Sequence, residues 1–192
     1  EELIEKKLLH GIEVVNMDTY SEEALRIAID NNLTIMGTSD VHGLIDWDYE
    51  TQHGGHRPIT LIFAKERSAT AMQEALEAGR TVVWYNELLI GKAENMSLLL
   101  DAQIEVLSLD YPDDTQIANV TIRNNGDANL ILKNLSDFTF YDTADLIELE
   151  SLTETTIKVK TLKKLNQFEM KFEVLNAIVA PKLNAIYELK IK

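Results

Sequence analysis

The chain has 192 residues, 45% of them hydrophobic and 26% charged, with a formal net charge of −14 and no cysteine. That size and mix suit a globular protein of one large domain or two small ones. The acidic balance argues against gripping a nucleic-acid backbone or an anionic membrane by bulk charge, while the lack of cysteine excludes disulfides and thiolate zinc sites.

The opening Glu1-Glu2-Leu3-Ile4-Glu5 has no signal-peptide character and reads as the interior of a helix, so Glu1 is not expected to be the natural start. Gly11 stops that helix, and His10 at its end complements the helix dipole. Ile12-Glu13-Val14-Val15-Asn16 reads as a short strand. On strict alternation Asn16 shares a face with Ile12 and Val14 and ends near a site rim. Glu13 falls on the opposite face and is expected in a structural ion pair. Ser21 is an N-cap, followed by the apolar stripe Ala24, Leu25, Ala28, Ile29 and the stop Asn31-Asn32.

Residues 34–39 predict the next strand, and 41–57 a long polar loop. Residues 59–64 predict a buried strand, Ser68 to Gly79 a helix, and 81–85 another strand. Strand–helix–strand repetition implies parallel strands with crossover helices, hence part of an α/β domain. Residues 85–91 read as a connection. Seven of the eight glycines lie before residue 92, and the pattern changes with them. From about Asp101, runs at 104–107, 120–122, 130–132, 138–141, 157–160, 168–174 and 186–191 alternate as short strands. Six or seven of these in about 90 residues suggest an immunoglobulin-like β-sandwich. Asn125-Gly126 signals a hairpin. Lys158, Lys160, Lys163 and Lys164 read as a solvated face guarding a sheet edge, with a binding patch as the rival reading. The expected division is residues 1–100 and 101–192. No apolar run approaches the roughly 20 residues of a membrane span. A soluble protein of cytoplasm or periplasm is expected.

The sharpest chemical signal is Gly37-Thr38-Ser39-Asp40-Val41-His42-Gly43, at the C-terminal end of a predicted strand. Residues i and i+2 of an extended segment point the same way, so Asp40 and His42 can aim at one centre. A carboxylate and an imidazole suit zinc, manganese or iron. On spacing alone, Asp40 capping a turn with His42 on the surface is the heavier reading. The loop His53-Gly54-Gly55-His56-Arg57 offers Arg57 as a phosphate grip, its guanidinium fork matching phosphate oxygens. A solvated loop with titrating histidines is its competitor. Trp47 and Tyr49, among Asp46, Asp48 and Glu50, either wall a substrate pocket or pack on the β-domain.

The segment around Asp40 and His42 resembles the last motif of the PHP (polymerase and histidinol phosphatase) family of metal-dependent phosphoesterases, written Gly-Ser-Asp-x-His. The resemblance extends to residues 11–16, 20–32, 56–60, 63–68 and 75–81, and covers the whole chain, weakly after Asp101. It implies the C-terminal portion of a distorted seven-stranded βα barrel followed by a β-domain. It also implies a di- or trinuclear site of zinc, manganese or iron in a longer parent, with Asp40 and His42 as its last two ligands. Arg57, His56 and Asn16 become candidate substrate contacts, and the partner a small phosphorylated molecule. The family's His-x-His and middle Glu and His motifs are missing, and the chain has only four histidines. Little activity and weak metal binding are therefore expected of this chain alone, since catalytic metals usually hold three or more protein ligands. An inactive scaffold derived from such an enzyme, or a β-sandwich binding protein, are the rival functions.

Overall fold

The computed structural model describes residues 2–112 and 114–192. Glu1, and with it the reading of the first residue as helical, lies outside the described residues. In chain order the elements are α1 (Glu2–Glu5), β1 (Gly11–Asn16), β2 (Thr19–Tyr20), α2 (Glu22–Asp30), β3 (Thr34–Thr38) and α3 (Ile45–Tyr49). There follow a 3-10 turn (Thr51–His53), β4 (Ile59–Ile62), α4 (Ala69–Glu77), β5 (Thr81–Tyr85), β6 (Leu88–Gly91) and α5 (Ala93–Gln103). The remaining strands are β7 (Ile104–Asp110), β8 (Ile117–Asn124), β9 (Leu130–Asn134), β10 (Thr139–Phe140), β11 (Leu146–Leu149), β12 (Glu154–Lys160), β13 (Phe168–Ala180) and β14 (Leu183–Ile191). The fold is mostly β-sheet with few helices. Two compact units divide it: residues 1–96 with Ile178–Leu183, and Ser97–Ala177 with Asn184–Lys192.

In the first unit β3 pairs with β1 in parallel, and β2 pairs antiparallel on the other side of β1. The crossover helix α2 is capped as its sequence dictates, with the Ser21 hydroxyl accepting from the Ala24 amide at 3.1 Å. Its Leu25 and Ala28 are buried with Val14, Val15, Ile35, Val83 and Ile90 in one core. The β4–α4–β5 segment departs from the parallel expectation: β4, β5 and β6 pair antiparallel throughout. Residues 85–91, expected as a plain connection, form a hairpin. Tyr85 pairs with Leu88 across a two-residue turn in which Asn86 adopts φ +50°. Asparagine tolerates that left-handed conformation better than most residues. Only the β1–β3 pairing is parallel among the strand pairs described, and a seven-stranded barrel is not evident.

The second unit holds the four-stranded sheet β10-β12-β8-β7, and its other strands pair in the order β11-β9-β13 with β14 also on β13. These strands bury every second residue, as a half-covered antiparallel sheet requires. Met170, Phe172 and Val174 of β13 are fully buried. Two expectations need correction here. Asn125-Gly126 does not turn a hairpin, because β8 and β9 belong to different sheets. Asn124 takes over that corner, donating to the Ala128 and Leu149 carbonyls at 2.9 and 3.0 Å and accepting from the Gly126 amide at 2.9 Å. The lysine strand β12 is not an edge, since β10 and β8 flank it; Lys158 pairs with Asp142 at 2.7 Å. Among the described residues no helix is long and apolar enough to cross a membrane.

Candidate functional site

The site is built on β3. Its start is anchored by the Thr34 hydroxyl on the Leu76 carbonyl at 2.5 Å, and its middle by the Thr81 hydroxyl on the Ile35 carbonyl at 2.6 Å. At Gly37 the neighbouring chain comes closer than any side chain permits: a Cβ there would lie 2.5 Å from Val83 Cγ1. The Thr60 hydroxyl accepts from the Gly37 amide at 3.0 Å and donates to its carbonyl at 2.9 Å. The glycine of the motif is thus a packing requirement, and β3 is held rigidly up to its exit.

Beyond Thr38 the chain leaves the sheet. Asp40 adopts φ +46°, a left-handed conformation that aspartate tolerates better than bulkier residues. This turn replaces the extended geometry expected of residues 40–42, yet it still brings the two side chains together. His42 Nε2 lies 3.5 Å from Asp40 Oδ1. The histidine side chain is 90% exposed and the aspartate 51%. Tyr49, from α3, donates its hydroxyl to the Ser39 carbonyl at 3.2 Å and so ties the loop helix to the motif. Partial burial raises the Tyr49 hydroxyl above its ordinary pKa; the Asp48 and Asp18 carboxylates and Tyr85 add to this, and Arg57 opposes it. Trp47 is 76% exposed, so it packs on nothing large.

The other candidates are placed differently. His56 stacks on Trp84 with ring centroids 4.0 Å apart. Its Nδ1 faces the Arg57 carbonyl at 2.9 Å and its Nε2 the Asn86 carbonyl at 3.3 Å. Each ring nitrogen thus faces a backbone carbonyl, and a neutral imidazole, with its single N–H, donates to one of the two. A cavity of about 390 Å³ is lined by Asp48, Tyr49, Glu50, His53, Gly55, His56 and Asn86. Asp40, His42, Arg57 and Asn16 are not among its walls. Asn16 donates from Nδ2 to Glu13 Oε2 at 2.9 Å, and the Thr38 hydroxyl donates to Glu13 Oε1. Glu13 makes no ion pair among the described residues, contrary to the sequence expectation. Its proximity to Asn16 comes from a β-bulge: Glu13 pairs with Met36 and Val15 with Gly37, leaving Val14 unpaired with β3. One extra residue reverses the alternation, so Glu13 and Asn16 share a face.

Asp40 and His42 offer one oxygen and one nitrogen donor. Among the described residues no group of three or more His, Asp or Glu is placed to hold a metal ion.

A family model described as an Ig-like domain matches residues 104–190. The second unit is Ig-like. No curated protein matches the chain. Among solved structures the chain is similar to a two-domain protein from Bacteroides vulgatus, described as containing a predicted PHP-like metal-dependent phosphoesterase. The two are 32% identical with a TM-score of 0.87 over 99% of this chain. The match takes in 55% of the relative, so the chain spans about half its length.

Proposed function

We propose that this chain supplies Asp40 and His42 to the divalent-metal site of a PHP-type phosphoester hydrolase. On this reading residues 1–100 are the C-terminal part of the barrel and 101–192 the appended β-sandwich. The remaining ligands come from further polypeptide of the kind that makes up the rest of the Bacteroides relative. The observation that carries the reading is the 3.5 Å separation of His42 Nε2 and Asp40 Oδ1. Two ligands of one tetrahedral ion, each at about 2.1 Å, lie about 3.4 Å apart. Both side chains are exposed and leave room for a cation. Zinc, manganese or iron suits the donor pair.

A cation bound there supplies Lewis-acid activation of water and of the phosphoryl group. The chain's own residues set the conditions for it. Asp40, Asp46, Asp48 and Glu50 crowd carboxylates onto the loop, which draws cations and repels a free phosphate ester. Phosphate therefore binds only when cations have reversed the local field. Arg57 is the residue of the loop suited to grip a phosphoryl oxygen; His56 and Asn16 contribute through the backbone and the Glu13 carboxylate that hold them. Two ligands make a weak site, and the chain alone is expected to hydrolyse little.

The test is calorimetric titration with Mn²⁺ and Zn²⁺ of the chain, of Asp40→Asn and of His42→Ala. Each substitution is expected to weaken binding at least about tenfold. Unchanged affinity in both would remove the metal role. A non-catalytic scaffold is the second reading, favoured by the absence of a third ligand near Asp40 among the described residues. It predicts no metal-dependent phosphate binding even when polypeptide corresponding to the rest of the Bacteroides relative is supplied.

A further inference from the structure

We infer that Glu13 is the positioning residue of the Asp40–His42 pair, clamping the ends of β1 and β3 from which that pair hangs. The inference rests on the metal reading of that pair. Asn16 and Thr38 are register partners, the last residues of two parallel strands. Glu13 lies three residues back, and in a regular strand it would face away from Asn16. The bulge at Val14 turns it to the same face. There its two carboxylate oxygens divide the work: Oε1 accepts from the Thr38 hydroxyl and Oε2 from the Asn16 amide at 2.9 Å. A carboxylate is the one common side chain that offers two acceptors and no donor, so it takes both bonds without a competing polarity. Hydrogen bonds to a charged acceptor are also the stronger kind. A third tie, the Met17 amide on the Thr38 carbonyl at 3.1 Å, closes the strand ends from the backbone side.

Thr38 stands two residues before Asp40. Fixing its side chain fixes the direction in which β3 leaves the sheet, and hence the left-handed turn that brings Asp40 and His42 together. Glu13 touches neither of them. Its effect passes through the backbone, as outer partners of metal ligands act by orienting them, typically worth about 10–100-fold in affinity.

The experiment is Mn²⁺ titration of the isotopically labelled chain by nuclear magnetic resonance, reading paramagnetic broadening at Asp40 and His42. Wild type, Glu13→Ala, Glu13→Gln and Thr38→Val are compared. Glutamine keeps one acceptor for Thr38, so the expected order of affinity is wild type, then Gln, then Ala. Ala should lose about tenfold. Thr38→Val should fall near Ala, with resonances of the second unit unmoved in all four. Equal broadening in wild type and Glu13→Ala would overturn the inference while leaving the metal reading intact. Equal loss in Gln and Ala would overturn it in favour of Glu13 as a direct ligand. Absence of broadening in wild type would remove the metal reading itself, and the inference with it. Thr38→Val keeps the test open if Glu13→Ala fails to fold, since it breaks the same clamp from the other side.

Discussion

Strand β12 and the loop after β3 are built on opposite terms. In β12 every second residue is buried, Ile157 and Val159 inward and Lys158 and Lys160 outward. In residues 41–57 only the middle of the loop has regular structure, Glu50 takes φ +44°, and Trp47 is open to solvent. The sandwich uses its residues to exclude water, and the loop uses carboxylates, histidines and an aromatic that stay in contact with it. Water-excluding and water-facing segments are thus separated along the chain, and within the first unit β3 is the strand from which the loop departs.

Substitutions on either side probe that contrast. Phe172 is fully buried in the sandwich. Phe172→Ala should cost about 3–5 kcal/mol in urea denaturation, through lost burial and the cavity left behind. Gly37→Ala forces a methyl against Val83 and should cost about 1–3 kcal/mol by the same measurement. It should also displace the Asp40 and His42 resonances, because both lie in the loop that leaves β3 just beyond Thr38.

Tyr187 tests the sandwich through pH. Burial first, then the Asp101 charge and its hydrogen bond, push the Tyr187 hydroxyl up to about 12 from an ordinary 10.0. The folded state therefore keeps a proton that the unfolded chain has lost. The associated stability is fully present below pH 10 and declines as pH rises from 10 towards 12. Denaturation curves across that window should show the decline, and Tyr187→Phe should flatten it. Trp47→Ser, at the other extreme, should stay within about 0.5 kcal/mol of wild type, since the indole buries little.

Much of the fold is legible in local sequence. Alternation in residues 157–160 and 168–174 marks β12 and β13 because one face of each is buried, and period two is then the direct imprint of the sheet. Ser21 and Ser68 mark the starts of α2 and α4 by the same caps that the fold uses. Asp40 and His42 do approach each other, but through a left-handed turn at Asp40 and not through the extended alternation that their spacing suggests. The features that local sequence hides are long-range or irregular. The hairpin of β5 and β6 is signalled by Asn86 alone, a residue suited to a left-handed turn. Antiparallel pairing of β4 and β5 depends on which edge accepts the strand, which a strand–helix–strand pattern does not specify. The Glu13 clamp is hidden because period two assigns Glu13 and Asn16 to opposite faces, and nothing in Glu13-Val14-Val15 announces a bulge. His56 reads as free to meet a substrate, but its stacking on Trp84 depends on a partner distant in sequence.

Whether Asp40 and His42 bind one cation is best decided by diffraction from crystals soaked in Mn²⁺ or Zn²⁺, recorded at the metal's absorption edge. An anomalous peak is expected about 2.0–2.2 Å from both an Asp40 carboxylate oxygen and a His42 ring nitrogen, lost in Asp40→Asn. Peaks confined to other carboxylates of the loop, with Asp40 and His42 left without metal at saturating concentration, would refute shared coordination by the pair.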